Sequence, residues 1–596
     1  MNIQQHLQES IQIAFQQVFN LDFPLQDLHL QPTRKEFKGA YTFVTFPFAG
    51  ACQTSPEETA NKLGNYILQS NTLVADFNVV KGFLNLVVAD QAWLKLFAYM
   101  RQTPRFGHAP CKGQKVVVEF SSPNTNKPLH LGHLRNNFLG HAVSEILQAT
   151  GHEVYKVNLV NDRGIHICKS MVAYQHWGQG QTPESTGLKG DQFVGKYYVH
   201  FEQVYQEQVA ALSKELGDQE LASKQAPILK EAQALLQRWE EGDPVVMGLW
   251  EQMNNWVYQG FAVTYQQLGI TFDKVYYESQ VYLLGKQVVA EGLAKGIFYK
   301  KEDESVWVDL SDEGLDEKLL LRADGTAVYM TQDMGAADLR HQDFQTNQFI
   351  YVVGNEQDYH FEVLTKIMRQ LGRSYAMGMH HLSYGMVDLP SGKMKSRQGT
   401  VVDADTLIDE MITTAAQHTQ ELGKIANYSD QEAEGLYHML AMGALKYFLL
   451  RVDMRKRLLF DPQASIDFQG DTGPFIQYTY ARIAAIRRKA TQNGIILPST
   501  SVDLDLALAP AEREIIIQLS QYPKKLQEAA ETYAPAIVAQ YVLGLAKAYN
   551  RLYAELPILH AANTQQQKLR IQLSVFVADI LQQAMHLLGI QLPERM

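Results

Sequence analysis

Cysteine is scarce. Cys52, Cys111 and Cys168 are the three in 596 residues, too few and too widely separated for a disulfide framework, which points to a reducing compartment and hence to the cytoplasm. No apolar run approaches the about 20 residues of a membrane-spanning helix, and Met1-Asn2-Ile3-Gln4-Gln5 is not the basic-then-apolar start of a secretion leader. Fixed-period repeats and low-complexity tracts are also missing, which excludes solenoids and compositionally biased tails. Positive charge is in deficit: 53 Lys and Arg against 64 Asp and Glu leave a net charge of −11. That balance does not exclude a nucleic-acid partner, because local patches rather than the total decide binding. With 46% hydrophobic and 20% charged residues, the chain reads as globular and long enough for several domains, each with its own core.

What is present centres on residues 115 to 170. Lys115 to Phe120 (K-V-V-V-E-F) is β-branched and apolar enough for a buried strand, and Ser121 to Pro128 is a polar loop broken by prolines. From His130-Leu131-Gly132-His133 a helix is expected to run to Thr150, with Leu131, Leu134, Phe138, Ala142, Ile146 and Leu147 on one buried face and Gly151 as the stop. Val154 to Val160 is the next strand, closed by Asn161-Asp162-Arg163-Gly164. Such a unit is half of a nucleotide-binding α/β sheet, where ligands sit beyond the carboxyl ends of the strands. The helix start suits phosphate: its free N–H groups carry positive partial charge, Gly132 allows close approach, and two imidazoles can donate hydrogen bonds. Two other readings stay open at this point. His-x-x-His, with His166 and Cys168 downstream, could ligate a metal, although no carboxylate or cysteine falls at the expected offset. Alternatively, the histidines are ordinary packing or surface residues.

Distant segments add to this picture. Residues 185 to 270 are Gln- and Glu-rich with helical spacing, the pattern of a solvated helical insertion, in which Tyr197 and Tyr198 are either buried or available to stack on RNA. From about 410 onward the pattern is almost wholly helical, as in a bundle. Basic residues concentrate there, as Arg451, Arg455, Lys456 and Arg457, then Arg482, Arg487, Arg488 and Lys489 with Tyr478 and Tyr480 between them. Phosphate contact with stacking is one reading, and a helix face paired with acids is the other.

Taken together, these segments resemble the class I aminoacyl-tRNA synthetases and, among them, the arginyl family. His130-Leu131-Gly132-His133 resembles the HIGH element, and Lys393-Met394-Lys395-Ser396-Arg397 a divergent KMSKS element. Glu119-Phe120-Ser121-Ser122-Pro123-Asn124, Lys127-Pro128 and His133-Leu134-Arg135 are similar to the entry to that family's active site. Gly82-Phe83-Leu84-Asn85, Phe272 to Ser279, Arg322 to Ala337, Tyr351 to Gln357, Gly470 to Tyr478 and the terminal Leu592 to Met596 extend the likeness over nearly the whole chain.

The resemblance implies a multidomain fold. An N-terminal α+β domain (1–110) would touch the tRNA elbow. A Rossmann-like α/β catalytic domain (111–405) would carry the insertion at about 185–270, and a C-terminal all-α helical bundle (406–596) would bind the anticodon. It implies ATP-driven joining of L-arginine to tRNA(Arg), with Mg²⁺ arriving on ATP, no metal held tightly by the protein, and a monomer. By the same resemblance His130, His133, Lys127, Lys393 and Lys395 are catalytic, and His130, Gly132, His133, Lys127, Met394, Lys395 and Ser396 hold ATP. Glu119, Asn124, His133, Tyr329, Asp333 and Gln357 would hold arginine. The guanidinium's chemistry agrees, since a planar, permanently charged, donor-rich group calls for carboxylates in its plane and an aromatic wall. Arg451, Arg455, Arg482, Arg487, Tyr478, Asn550 and Tyr553 are the tRNA contacts. The KMSKS-like element departs from the usual form, because Ser396 stands where a phosphate-binding lysine is common; whether Lys127, Lys395 or Arg397 takes its place stays open. The alternative functions are a catalytically inactive tRNA-binding paralogue and another HxGH-type adenylyltransferase acting on a small acid.

Overall fold

Val116 to Glu119 is buried throughout, so the strand they form needs cover on both faces and neighbours on both edges. The computed structural model, which describes residues 2–34, 36–388, 402–421, 428–495, 501–561 and 563–596, places it at the centre of a five-stranded sheet. The strands are β1 (Gln114–Glu119), β2 (His152–Val160), β3 (Lys274–Tyr277), β4 (Phe349–Gly354) and β5 (Met379–Tyr384), in the order β5-β4-β1-β2-β3. Every pairing is parallel. The chain moves outward from β1 through β2 to β3, then restarts on the other side with β4 and β5. The reversal between β1 and β4 opens the crevice where such sheets bind ligands.

Helix α1 (Leu131–Ala149) joins β1 to β2. It lies so close to the end of β1 that a Cβ added at Gly140 would sit 2.2 Å from Cγ of Phe120. Helix α2 (Tyr329–Phe344) leads into β4. Between β2 and β3 the insertion forms helices Gly190–Leu216, Gln219–Gln225, Pro227–Glu240 and Pro244–Leu268. Tyr197 and Tyr198 are buried among them at 3% and 4% exposure, so they chiefly pack the insertion.

The N-terminal part pairs helices Ile3–Phe19 and Pro56–Ser70 with a four-stranded antiparallel sheet. The alternating residues 40–48 (A-Y-T-F-V-T-F-P-F) read as a strand, but the strand spans only Tyr41–Val44, and Phe46–Ala49 turns into a short helix. Pro47 explains the difference, since it cannot donate to a sheet ladder but fits the first turn of a helix. Lys81 (φ 48°) and Gly82 (φ 83°) make the two-residue hairpin turn between Val74–Val80 and Phe83–Val88.

After Ala404–Glu421, the helices Asp430–Leu450, Gly473–Gln492, Pro510–Ser520, Tyr522–Glu531, Pro535–Glu555 and Thr564–Leu587 build the C-terminal bundle. Buried Lys446 ties this bundle to the insertion. Its ammonium donates to the carbonyls of Leu268 at 2.8 Å and Gly589 at 2.6 Å, both at helix C-terminal ends where unpaired carbonyls collect. Burial pushes the Lys446 pKa down to about 8. No helix among the described residues is long and apolar enough to cross a membrane.

Candidate active site

His130 is the N-cap of α1 and His133 its third helical residue, and the two rings cap the helix reciprocally. Nδ1 of His130 accepts from the Gly132 N–H and Nδ1 of His133 from the His130 N–H, each at 3.1 Å. An imidazole that accepts at Nδ1 carries its proton on Nε2. Both rings therefore present Nε2–H as a donor, with their centroids 3.9 Å apart. They are also held neutral: burial first, then the Lys127 ammonium, pushes His130 down to about 3. Burial, the His130 ring and Lys127 hold His133 well below its usual value. Gly132 suits the same geometry, since a Cβ there would lie 3.0 Å from Cε1 of His130 and press on the ring.

Neighbouring segments fix this helix start from three sides. Asn136 accepts the Ser121 N–H at 2.5 Å and donates to the Val352 carbonyl at 2.7 Å, bridging the ends of β1 and β4 across the crevice. Arg135, fully buried, donates to the carbonyls of Gly385 at 2.7 Å, Lys456 at 3.0 Å and Met454 at 3.1 Å. Asp403 forms a backbone bridge with His130, and the Ala404 N–H donates to the Leu129 carbonyl at 2.8 Å. Against this start lies a cavity of about 210 Å³ walled by Lys127, His130, Asp403 and, from the insertion, Gln192, Lys196 and Tyr198. The insertion helix comes this close because residue 195 is glycine: a Cβ there would be 2.8 Å from Cδ of Pro128. The KMSKS-like element, including Lys393, Met394, Lys395, Ser396 and Arg397, lies outside the described residues.

A second group of side chains, rich in carboxylates, sits at the carboxyl end of β1. Glu119, the last residue of β1, is 7% exposed and forms an ion pair with Arg340 of α2, itself 2% exposed. Arg340 lies between the rings of Tyr276 and Tyr351, at 5.6 and 5.7 Å. Burial lowers the Arg340 pKa, but Glu119, Tyr351, Asp333 and Tyr276 outweigh it and hold the guanidinium charged. Burial raises the Glu119 carboxyl, Arg340 opposes this, and Asp333 adds to it. Asp333 accepts from Nε2 of His360 at 2.5 Å. Glu278, at the end of β3, is pushed up to about 7 by burial and by Asp162 and Asp333, against the pull of Arg163. Four acids, Glu119, Asp162, Glu278 and Asp333, thus stand against Arg340 on Glu119, Arg163 on Glu278 and the His360 ring on Asp333, so carboxylates outnumber their cationic partners. Asp333 and Tyr329 are four apart on α2 and share a face; Tyr329 is 72% exposed at the helix start. Asn124 bridges to Asn161, and Gln357 closes the single turn that follows β4.

Comparison with known proteins decides the family. The catalytic-domain model of the class I (R) tRNA synthetases matches residues 96–461, the DALR anticodon binding domain 476–596, and the arginyl tRNA synthetase N terminal domain 1–88. The chain is 68% identical to the arginine–tRNA ligase of Amoebophilus asiaticus and 51% identical to that of Parabacteroides distasonis, in both cases over 100% of each chain. This chain is an arginyl-tRNA synthetase of class I. The solved Thermus thermophilus arginyl-tRNA synthetase superposes over 100% of both chains with a TM-score of 0.77 at 25% identity.

In this synthetase the aromatic and basic residues of the C-terminal bundle are only partly gathered. A groove of about 740 Å³ is lined by Tyr478, Arg482, Arg488, Lys489 and Tyr553 together with the chain end at Arg595 and Met596. The Arg482 guanidinium lies over Tyr478 at 4.8 Å and Tyr553 at 4.7 Å, and Asn550 accepts a hydrogen bond from it. Arg487 is instead paired with Glu594 at 3.0 Å. Arg451 donates to the Asp471 carbonyl and packs on Phe448 at 4.7 Å; neither it nor Arg455 lines the groove. Cys168 is buried, and burial pushes its thiol up to about 12, so it is a packing residue. Among the described residues no three His, Cys, Asp or Glu side chains converge as a metal site. Sequence reasoning missed Arg340, Glu278 and Lys196 as site residues. Each belongs to an element whose place beside the site depends on the fold, and none stands in a motif that spacing singles out.

Proposed function

We propose that this chain activates L-arginine with ATP and transfers it to the 3′-terminal ribose of tRNA(Arg), using the residues brought together at the carboxyl end of the sheet. One observation carries this reading: two neutral imidazoles with free Nε2–H donors stand at the same end of the sheet as a cluster in which carboxylates outnumber their cationic partners. The first suits a triphosphate and the second a guanidinium.

In this reading Lys127, His130, Gly132 and His133 receive ATP, together with Lys393, Met394, Lys395 and Ser396. Glu119, Asn124, Tyr329, Asp333 and Gln357, with His133 between the two substrates, receive arginine. The amino acid's carboxylate attacks the α-phosphorus, pyrophosphate leaves, and the ribose hydroxyl then attacks the adenylate's carbonyl and releases AMP. No side chain acts as nucleophile; positioning and fixed donors lower the barrier. Mg²⁺ enters on the phosphates of ATP. Among the described residues, the cavity beside His130 has Asp403 as its one carboxylate, so phosphate oxygens are the ion's natural ligands. Tyr478, Arg482, Asn550 and Tyr553 form the anticodon contact, with Arg451 and Arg455 on the flanking RNA backbone and Arg487 holding Glu594 beside it. The chain works as a cytoplasmic monomer, with the tRNA elbow on residues 1–110, chemistry in 111–405 and the anticodon on 406–596.

The test is charging of tRNA with labelled arginine. The wild type is expected to charge, and His133→Ala is expected to lose about a hundredfold or more in kcat while still melting cooperatively, destabilised by no more than the about 0.5–2 kcal/mol of one lost helix cap. A His133→Ala variant that charges normally contradicts the assignment.

A further inference from the structure

The insertion between β2 and β3 looks like scaffold until its contacts with the His130 region are followed. Lys189 is the N-cap residue of helix Gly190–Leu216. Its ammonium donates to Oγ1 of Thr264 at 2.6 Å, lies 3.2 Å from Oδ2 of Asp191, and forms a short ion pair with Asp405. Thr264 in turn donates to Asp405 at 3.0 Å. Asp191 is wholly buried because two insertion helices touch there: a Cβ at Gly260 would meet Oδ1 of Asp191 at 2.4 Å, and one at Gly190 the Trp256 carbonyl at 1.9 Å. The cluster is therefore a built site holding two carboxylates on one lysine, where losing the cation leaves buried charge unpaired.

Asp405 is the partner that gives the cluster a role in the reaction. It lies in the first turn of helix Ala404–Glu421, directly after Asp403 and Ala404, the residues that bridge to His130 and Leu129. Gln192, the residue after the buried Asp191, also reaches Asp405 at 3.5 Å and lines the cavity beside His130. We propose that Lys189, with Asp191 and Asp405, is a positioning cluster through which the helical insertion holds segment 403–405 against His130 and so sets the ATP side of the site. The inference rests on the reading that His130 meets ATP. Lys189 touches no substrate; it acts by fixing the backbone that braces His130, and displacements of the order of 1 Å at such a group are costly to the rate.

The experiment is arginine-dependent ATP–pyrophosphate exchange, in the presence of tRNA(Arg), by the full chain carrying Lys189→Met, Lys189→Arg or Asp405→Asn, with KM measured separately for ATP and for arginine. Lys189→Met is expected to lower kcat/KM for ATP about tenfold or more and to leave KM for arginine within about twofold, with Lys189→Arg recovering most of the loss. Asp405→Asn, which keeps the shape of the side chain, is expected to show the same split and decides the matter should Lys189→Met not fold. Unchanged ATP kinetics in a folded variant would overturn the proposal, as would an equal loss for both substrates, the mark of general destabilisation. A wild type without arginine-dependent exchange removes the functional reading and this inference with it.

Discussion

At the scale of single residues, the site works by fixing proton positions. The reciprocal capping of His130 and His133 spends both Nδ1 atoms on the helix start, which leaves one tautomer and one outward donor per ring. A third depressed histidine lies further along the same helix and allows the electrostatics to be tested away from substrate. His141 has its pKa pushed down to about 3 by burial, with Lys446, Lys156 and His586 adding to the effect. The folded value lies below the ordinary 6.5, so the stability held by the neutral ring is present above 6.5 and is lost as the pH falls, because only the unfolded chain takes up the proton. His141→Gln removes this dependence. Compared about one pH unit below and one above the ordinary histidine pKa, unfolding free energies should show the wild type losing up to about 1.4 kcal/mol per unit relative to the variant. Parallel profiles would contradict the neutral assignment.

At the scale of elements, two glycines set distances that the chemistry uses. Gly140 lets α1 rest on Phe120, and Gly195 lets the insertion rest on the Lys127-Pro128 loop. Gly140→Ala should cost about 1–3 kcal/mol through overpacking and should slow adenylate formation, because it pushes the helix bearing both histidines off the end of β1. A melting temperature equal to that of the wild type would show that the contact is looser than described. The strand, helix and strand around HxGH were legible in the sequence because period and punctuation are local: β-branched residues for β1, one apolar face for α1, Gly151 as its stop. The start of α1 at His130 was legible for the same reason. Arg340 and Glu278 were not, since nothing in their own segments says that α2 and the end of β3 converge on Glu119; only the sheet order does. Tyr197 and Tyr198 show the reverse case, where aromatic type left two readings open and burial selected one.

At the scale of the whole molecule, contacts between distant segments hold the site. Arg135 clasps the carbonyls of residues 385 and 454–456, Lys189 joins the insertion to Asp405, and Lys446 joins the insertion to the C-terminal bundle. The acidic total charge and the basic, aromatic groove around Arg482 coexist because the two properties belong to different surfaces. In the C-terminal bundle, composition pointed to basic clusters, yet Arg487 is committed to Glu594. Which basic residues line the groove depends on helix rotation, and the sequence pattern does not fix that angle.

The central claim is that surplus carboxylates around Glu119, Asp333 and Glu278 select arginine for activation beside the paired imidazoles. The most direct measurement is ATP–pyrophosphate exchange by the purified protein with Mg²⁺, with and without tRNA(Arg), supplying arginine, lysine or citrulline in turn. Citrulline keeps the shape of arginine without its charge, and lysine keeps the charge without the planar fork. The account predicts exchange with arginine, and for the two analogues a kcat/KM lower by a factor on the order of 10⁴. Comparable exchange with citrulline would contradict it, because the pocket would then be reading shape alone.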